Sequence, residues 1–142
     1  MTLDGLALTA LILLLFNMLY FQITSPTFLL VSLEIPTVTT LLRGQFWYYF
    51  LSLGVAAIVA TLAFAVSGRL VAAVGVAAIA AYAIFSRKWL RRHMDVELAA
   101  RDGGDRQAVR RLRHLHWTAM LSHAIALIAV LTSIPYLHLF SG

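Results

Sequence analysis

The 142-residue chain contains no cysteine. That excludes a disulfide framework, thiolate metal sites and a thiol nucleophile. Charge is scarce as well: Asp, Glu, Lys and Arg make up 12% of the residues, about half the share found in soluble domains. A nucleotide-binding glycine loop, an HExxH zinc motif, paired carboxylates inside an apolar run and a nucleophile–base pair are all missing. The sequence therefore gives little positive support for catalysis. No secretory signal is expected either, because Met1 to Ala10 carries Asp4, has no basic residue, and no small-x-small cleavage site follows.

What remains is strongly apolar. Hydrophobic residues make up 61% of the chain and the mean hydropathy is +0.86, against an apolar share of about 45–50% in soluble domains. Four stretches reach or approach the roughly 20 helical residues that cross a bilayer: Gly5–Thr24, Trp47–Val66, Leu70–Ser86 and Trp117–Leu137. Backbone groups cannot stay unpaired in lipid, so each must be a helix. The expected fold is an all-α membrane protein with a single domain over 1–142. It is a four-transmembrane-helix bundle whose third and fourth helices extend into a cytoplasmic hairpin over 87–113.

The turns give finer expectations. Asp102-Gly103-Gly104-Asp105 is a strong break, with Asp105 placed to cap the next helix. Ser67-Gly68 makes a second, shorter turn, and Pro36 suits the start of a helix. These signals predict helices near 3–33, 36–66, 69–101 and 105–139. The alternative places Pro26–Leu42 along the membrane interface. Trp89 and Trp117 lie about equally far from the Gly-Gly break and would enter the bilayer at one level. Arg91/Asp95, His93/Glu97 and Glu97/Arg101 stand four residues apart, as in a solvated helix.

Basic residues set the orientation. Of the 11 Lys and Arg, only Arg69 falls on the outer side when the hairpin is cytoplasmic, so the positive-inside rule puts both termini outside, in a membrane expected to be a bacterial inner membrane. The cluster accounts for the basic charge without nucleic acid. Arg106, Arg110, Arg111 and Arg113 are expected to meet lipid phosphates or a cytoplasmic partner. Trp47-Tyr48-Tyr49 reads as interfacial anchoring. Small residues recur at Ala57, Thr61 and Ala65 and at Ala73, Ala77 and Ala81. Such stripes serve close packing inside the bundle or a homo-oligomer face.

Asn17, Ser52, Tyr82 and His123 fall at similar depth, roughly 6–11 Å inside the cytoplasmic boundary by helical rise. They form either a structural hydrogen-bonded layer or, with His116, the polar end of a ligand site. His116 and His123 lie two helical turns apart, about 10 Å along the axis, too far to grip one metal ion. A haem or metal role needs a ligand from elsewhere; His93 and His114 lie in the hairpin and His138 at the far end. No cofactor is expected, with haem or metal at these histidines as the alternative. Glu34 is either an exposed turn residue or a transport acid.

Three stretches together resemble the transmembrane-protein-205-like family, a membrane domain of unknown function. They are Pro36 through Phe50 (PTVTTLLRGQFWYYF), Arg87-Lys88-Trp89-Leu90, and His116 through His123 (HWTAMLSH). His123 stands where the family favours Asn, and Arg91 and Arg92 follow the Trp-Leu pair. The resemblance implies fold and membrane location and transfers no activity. The expected function is non-enzymatic: binding of a lipid-like or hydrophobic ligand, or docking to a larger membrane assembly. The alternatives are a histidine-dependent haem or metal redox protein and a small-solute or proton transporter.

Overall fold

The computed structural model describes the backbone of residues 2–139 and the side chains of residues 2–135. The side chain of His138 lies outside the described residues. Four helices follow one another: α1 (Leu3–Thr24), α2 (Pro36–Val66), α3 (Leu70–Asp102) and α4 (Gln107–Leu139). A short 3-10 turn, Ser25–Leu29, follows α1, and the described residues contain no strand. All four helices are long and apolar enough to cross a membrane. Each is packed on its neighbours in sequence, and α4 closes back on α1. The outer surface carries large apolar side chains, with Leu13 60% and Phe16 70% exposed. Water would penalise such a surface, whereas lipid would not. The chain is a four-helix integral membrane protein.

Local chemistry sets the helix ends. The Thr2 hydroxyl accepts from the Gly5 amide at 3.1 Å and caps α1. Asp4 reaches Arg69 in the α2–α3 turn at 3.0 Å. That turn closes with Arg69 N–H donating to Phe64 O at 2.9 Å across Gly68, whose φ of +77° few other residues adopt. Gly104, φ +93°, plays the same part between α3 and α4, where Asp105 N–H donates to Ala100 O at 3.0 Å. The Asp105 carboxylate then accepts from the Gln107 amide at 2.8 Å, as expected of an N-cap.

Three sequence expectations change. The first helix does not run to residue 33: it stops at Thr24, because Pro26 has no N–H to continue the ladder and its ring would strike the Gln22 carbonyl. Nor does 26–42 lie as one interfacial piece, since α2 has already begun at Pro36.

The small-residue stripes change phase. Ala73 is buried but Ala77 and Ala81 are exposed, and the inward set is Ala73, Val76, Ala80 and Ala83. On α2, Ala57 is buried, Thr61 partly so and Ala65 exposed. Steps of four residues drift around a helix of 3.6 residues per turn, so a strict four-residue stripe leaves the interface. The α2–α3 contact is close where these sets meet: a Cβ on Gly54 would stand 3.8 Å from that of Ala83.

Several hairpin charges choose partners across helices. Asp95 takes a two-pronged contact from Arg43 at 2.7 and 3.1 Å and keeps Arg91 only at 4.0 Å. Glu97 pairs with Arg111 on α4 at 2.7 Å rather than with His93 or Arg101. His93 donates instead to Trp89 O at 2.8 Å. Arg111 also reaches Asp105 at 2.6 Å and holds its carboxyl below the ordinary value. The folded carboxyl thus binds its proton less readily than the unfolded one. Its stabilising contribution is full above the unfolded value of about 3.9 and is lost as pH falls through the depressed folded value. Arg111→Gln is expected to raise the Asp105 titration midpoint toward that ordinary value, read by NMR of the side-chain carboxyl; an unmoved midpoint would show that the pair does not set it.

Candidate functional site

The intramembrane polar groups form separate pairs. Asn17 donates through Nδ2 to Ser52 Oγ at 2.9 Å, and the Ser52 hydroxyl donates onward to Tyr49 O at 2.9 Å. Tyr82 and Ser122 share a hydrogen bond of 3.0 Å, with the Ser122 hydroxyl also meeting Ala119 O. His123 is wholly buried between α1 and α2. Its Nε2–H donates to Met18 O at 2.9 Å, and Nδ1 accepts from the Tyr49 hydroxyl at 2.8 Å. Those contacts fix the neutral tautomer and occupy both ring nitrogens. The ring also stands edge-on to Phe21 at 4.9 Å.

His116 differs. Its Nε2–H donates to Ser25 O at 3.0 Å, but the buried Nδ1 has no partner among the described residues. The rings of Phe46 and Phe28 stand edge-on to it, at 5.3 and 6.3 Å. Among the described residues no three His, Asp or Glu side chains come together as a metal ligand set. Glu34 is exposed in the turn before α2.

Sequence order did not reveal Tyr49. Its neighbour Tyr48 is 69% exposed, as an anchor should be, whereas Tyr49 is 6% exposed and stacks on Phe21 at 3.9 Å. The usable signal was its place on the stripe Leu42, Phe46, Tyr49, Leu53, which is buried throughout. The hairpin arginines also separate. Arg106 and Arg110 stand exposed, Arg111 is held by Glu97 and Asp105, and Arg113 donates to Leu29 O at 3.3 Å.

Space for a ligand lies elsewhere. At the end nearer the Ser67-Gly68 turn, a cleft of about 460 Å³ opens between the helices. All four helices contribute, with Leu11 from α1, Phe64 from α2, Gly75 and Ile79 from α3, and Val130 and Ser133 from α4. Its wall is mostly apolar; its polar residues are Arg69, whose guanidinium pairs with Asp4, and Ser133, whose hydroxyl donates to Val130 O at 2.6 Å. A Cβ added at Gly75 would meet no atom within 4 Å, so this wall adjoins open space. The arrangement can hold an apolar body and offer hydrogen bonds to one polar group. Comparison with protein-family models, curated proteins and solved structures finds no match.

The paired polar groups predict an effect on stability. Tyr49→Phe removes one hydrogen bond, with an expected cost of about 1 kcal/mol or less. His123→Leu removes two and leaves Met18 O without its side-chain donor, costing about 2 kcal/mol. Reversible unfolding in detergent measures both; equal stability of His123→Leu and the parent would show that these bonds contribute nothing net.

Proposed function

We propose that this protein is a non-catalytic membrane bundle that holds a hydrophobic, lipid-like molecule in the four-helix cleft. The single observation carrying this reading is the cleft itself: one opening walled by all four helices, apolar along its length, with Arg69 and Ser133 as its polar groups. Lipid chains are as apolar as leucine, so burial alone would not favour the cleft over the bilayer. Selectivity must come from shape and from the polar contact, which suits an amphiphile with a compact head near Arg69. Ligand contact by Asn17, Ser52, Tyr82, His116 or His123 is a separate proposal, because none of them lines this cleft; the unpartnered Nδ1 of His116 supports it.

Membership of the transmembrane-protein-205-like family, a bacterial inner-membrane location and a cytoplasmic hairpin complete the proposal. The motifs quoted above and the distribution of basic residues support them. Docking to a larger membrane assembly is a second reading, favoured by Arg106 and Arg110, which stand exposed with no carboxylate partner among the described residues.

Native mass spectrometry of the protein from mild detergent tests the cleft. Gly75→Phe and Ala129→Trp are expected to abolish a lipid-sized adduct that His123→Leu retains. Retention by both filled variants would remove the proposal's basis. Orientation is testable because the parent has no cysteine. Arg106→Cys should react with an impermeant maleimide only from the cytoplasmic side and Thr2→Cys only from the other; the reverse pattern would invert the topology.

A further inference from the structure

A second cleft, of about 350 Å³, lies between α2 and α3 at the hairpin end, away from the one discussed above. Arg43, Arg87 and Arg91 line it together with Trp47 and Tyr48. Arg87 and Arg91 are one helical turn apart on α3, and Arg43 and Trp47 are one turn apart on α2, so each pair lies on one helix face. The cleft adjoins a smaller groove of about 130 Å³, with Phe50 and Arg87 lining both. Gly54, Val55, Ile58 and Ile84 line that groove, and Lys88 stands at its basic end.

Charge is unbalanced here. Asp95 engages Arg43 through Nε and Nη2, leaving Nη1 without a protein partner among the described residues. The same carboxylate is 4.0 Å from Arg91. Arg87 instead lies over the Trp47 ring, 4.6 Å from its centroid, and neither it nor Lys88 meets a carboxylate among the described residues. Of these four cations only Arg43 and Arg91 approach a carboxylate among the described residues, and both approach Asp95. Guanidinium forks match phosphate oxygens in geometry and strengthen the hydrogen bonds by charge. Trp and Tyr favour the headgroup level of a bilayer, and an apolar groove leads from that level toward the membrane interior.

We propose that this cleft binds the phosphate of an anionic lipid through Arg43, Arg87 and Arg91, with an acyl chain lying along Gly54, Val55 and Ile58. A zwitterionic headgroup would bring its own ammonium among the four cations and is disfavoured. Free phosphate would leave the adjoining groove unused. The site is independent of the hydrophobic-ligand cleft, and either assignment can fail without the other.

The test uses the full chain in nanodiscs of equal phosphatidylglycerol and phosphatidylcholine, with retained lipid identified by native mass spectrometry. The parent is expected to keep phosphatidylglycerol preferentially. Arg87→Gln and Arg91→Gln should each lower its retention about tenfold, the size of one charge-assisted contact, while Arg87→Lys keeps part of it. Arg110→Gln should change nothing, and Val55→Trp should block the chain groove. Helical circular dichroism and reversible unfolding in detergent serve as controls that the variants fold. Equal retention of the two lipids by the parent would overturn the anionic assignment. Loss from Arg110→Gln equal to that from Arg87→Gln would reduce the site to general surface charge. Displacement by inorganic phosphate with Val55→Trp silent would make it a free-phosphate site and overturn the lipid assignment.

Discussion

Backbone carbonyls released where α1 breaks must find donors, and the rest of the bundle is arranged around supplying them. Pro26 ends the helical ladder at Thr24, and the connector to α2 runs through a 3-10 turn and an irregular stretch. His116 on α4 donates to Ser25 O, Arg113 on α4 to Leu29 O, and Arg101 on α3 to Leu33 O. Arg101 also reaches the buried Thr39 hydroxyl at 2.7 Å, tying the first turn of α2 to the end of α3. Ser25 O is buried, so leaving it unpaired would be costly, whereas the Leu29 and Leu33 carbonyls sit in more open surroundings. Three long side chains from the second half of the chain thus fix the path of the first half. Leu33 is buried beneath this set of contacts, which makes the connector part of the packed structure.

Inside the span the balance of forces differs from that of a soluble bundle. Helices gain little by leaving lipid for one another, so contact depends on close approach and on specific polar pairs. Gly54 and Ala83 provide the first between α2 and α3. His123 provides the second at a three-helix junction, bonded at once to Met18 O on α1 and the Tyr49 hydroxyl on α2. Because the ring nitrogens are directional, this junction specifies rotation and depth for three helices together, which apolar packing alone would specify weakly. The cross-helix pairs Arg43–Asp95 and Arg111–Glu97 do similar work at the polar end, where solvent screening makes each worth less.

The spans, two glycine turns, the Pro36 start and the Asp105 cap were legible in the sequence because each depends on a local rule: apolar length, left-handed backbone or a short-range hydrogen bond. Rotation was not. The stripe of Ala73, Ala77 and Ala81 has the right composition but the wrong phase, and only packing against α2 selects Ala73, Val76, Ala80 and Ala83. Ion-pair choice goes beyond the sequence for a related reason, although Arg91 and Asp95 do stay within 4.0 Å of each other. A four-residue spacing shows which charges can meet within one helix, but says nothing about a closer partner on the next, such as Arg111 for Glu97. Tyr49 was hidden by its neighbours, since Trp47 and Tyr48 made the triplet resemble an interfacial belt. The clefts were the least accessible, because empty space is a property of how side chains from several helices fail to meet.

The two clefts follow from the same distribution of side-chain size and charge. Near the Ser67-Gly68 end, Gly75 and Ala129 withdraw bulk from the wall, and the gap they adjoin is mostly apolar because the nearby charge, Arg69, is engaged at the margin by Asp4. At the hairpin end the wall is instead built from arginines and aromatics, and its carboxylate is outnumbered. Under the two proposals, one opening would select by shape, with Arg69 and Ser133 as its polar residues, and the other by charge, with a short apolar extension. In a medium where burial itself gives an apolar ligand no preference, shape and charge are what remain to select one, and the two proposed sites would use one of them at each end of the helices.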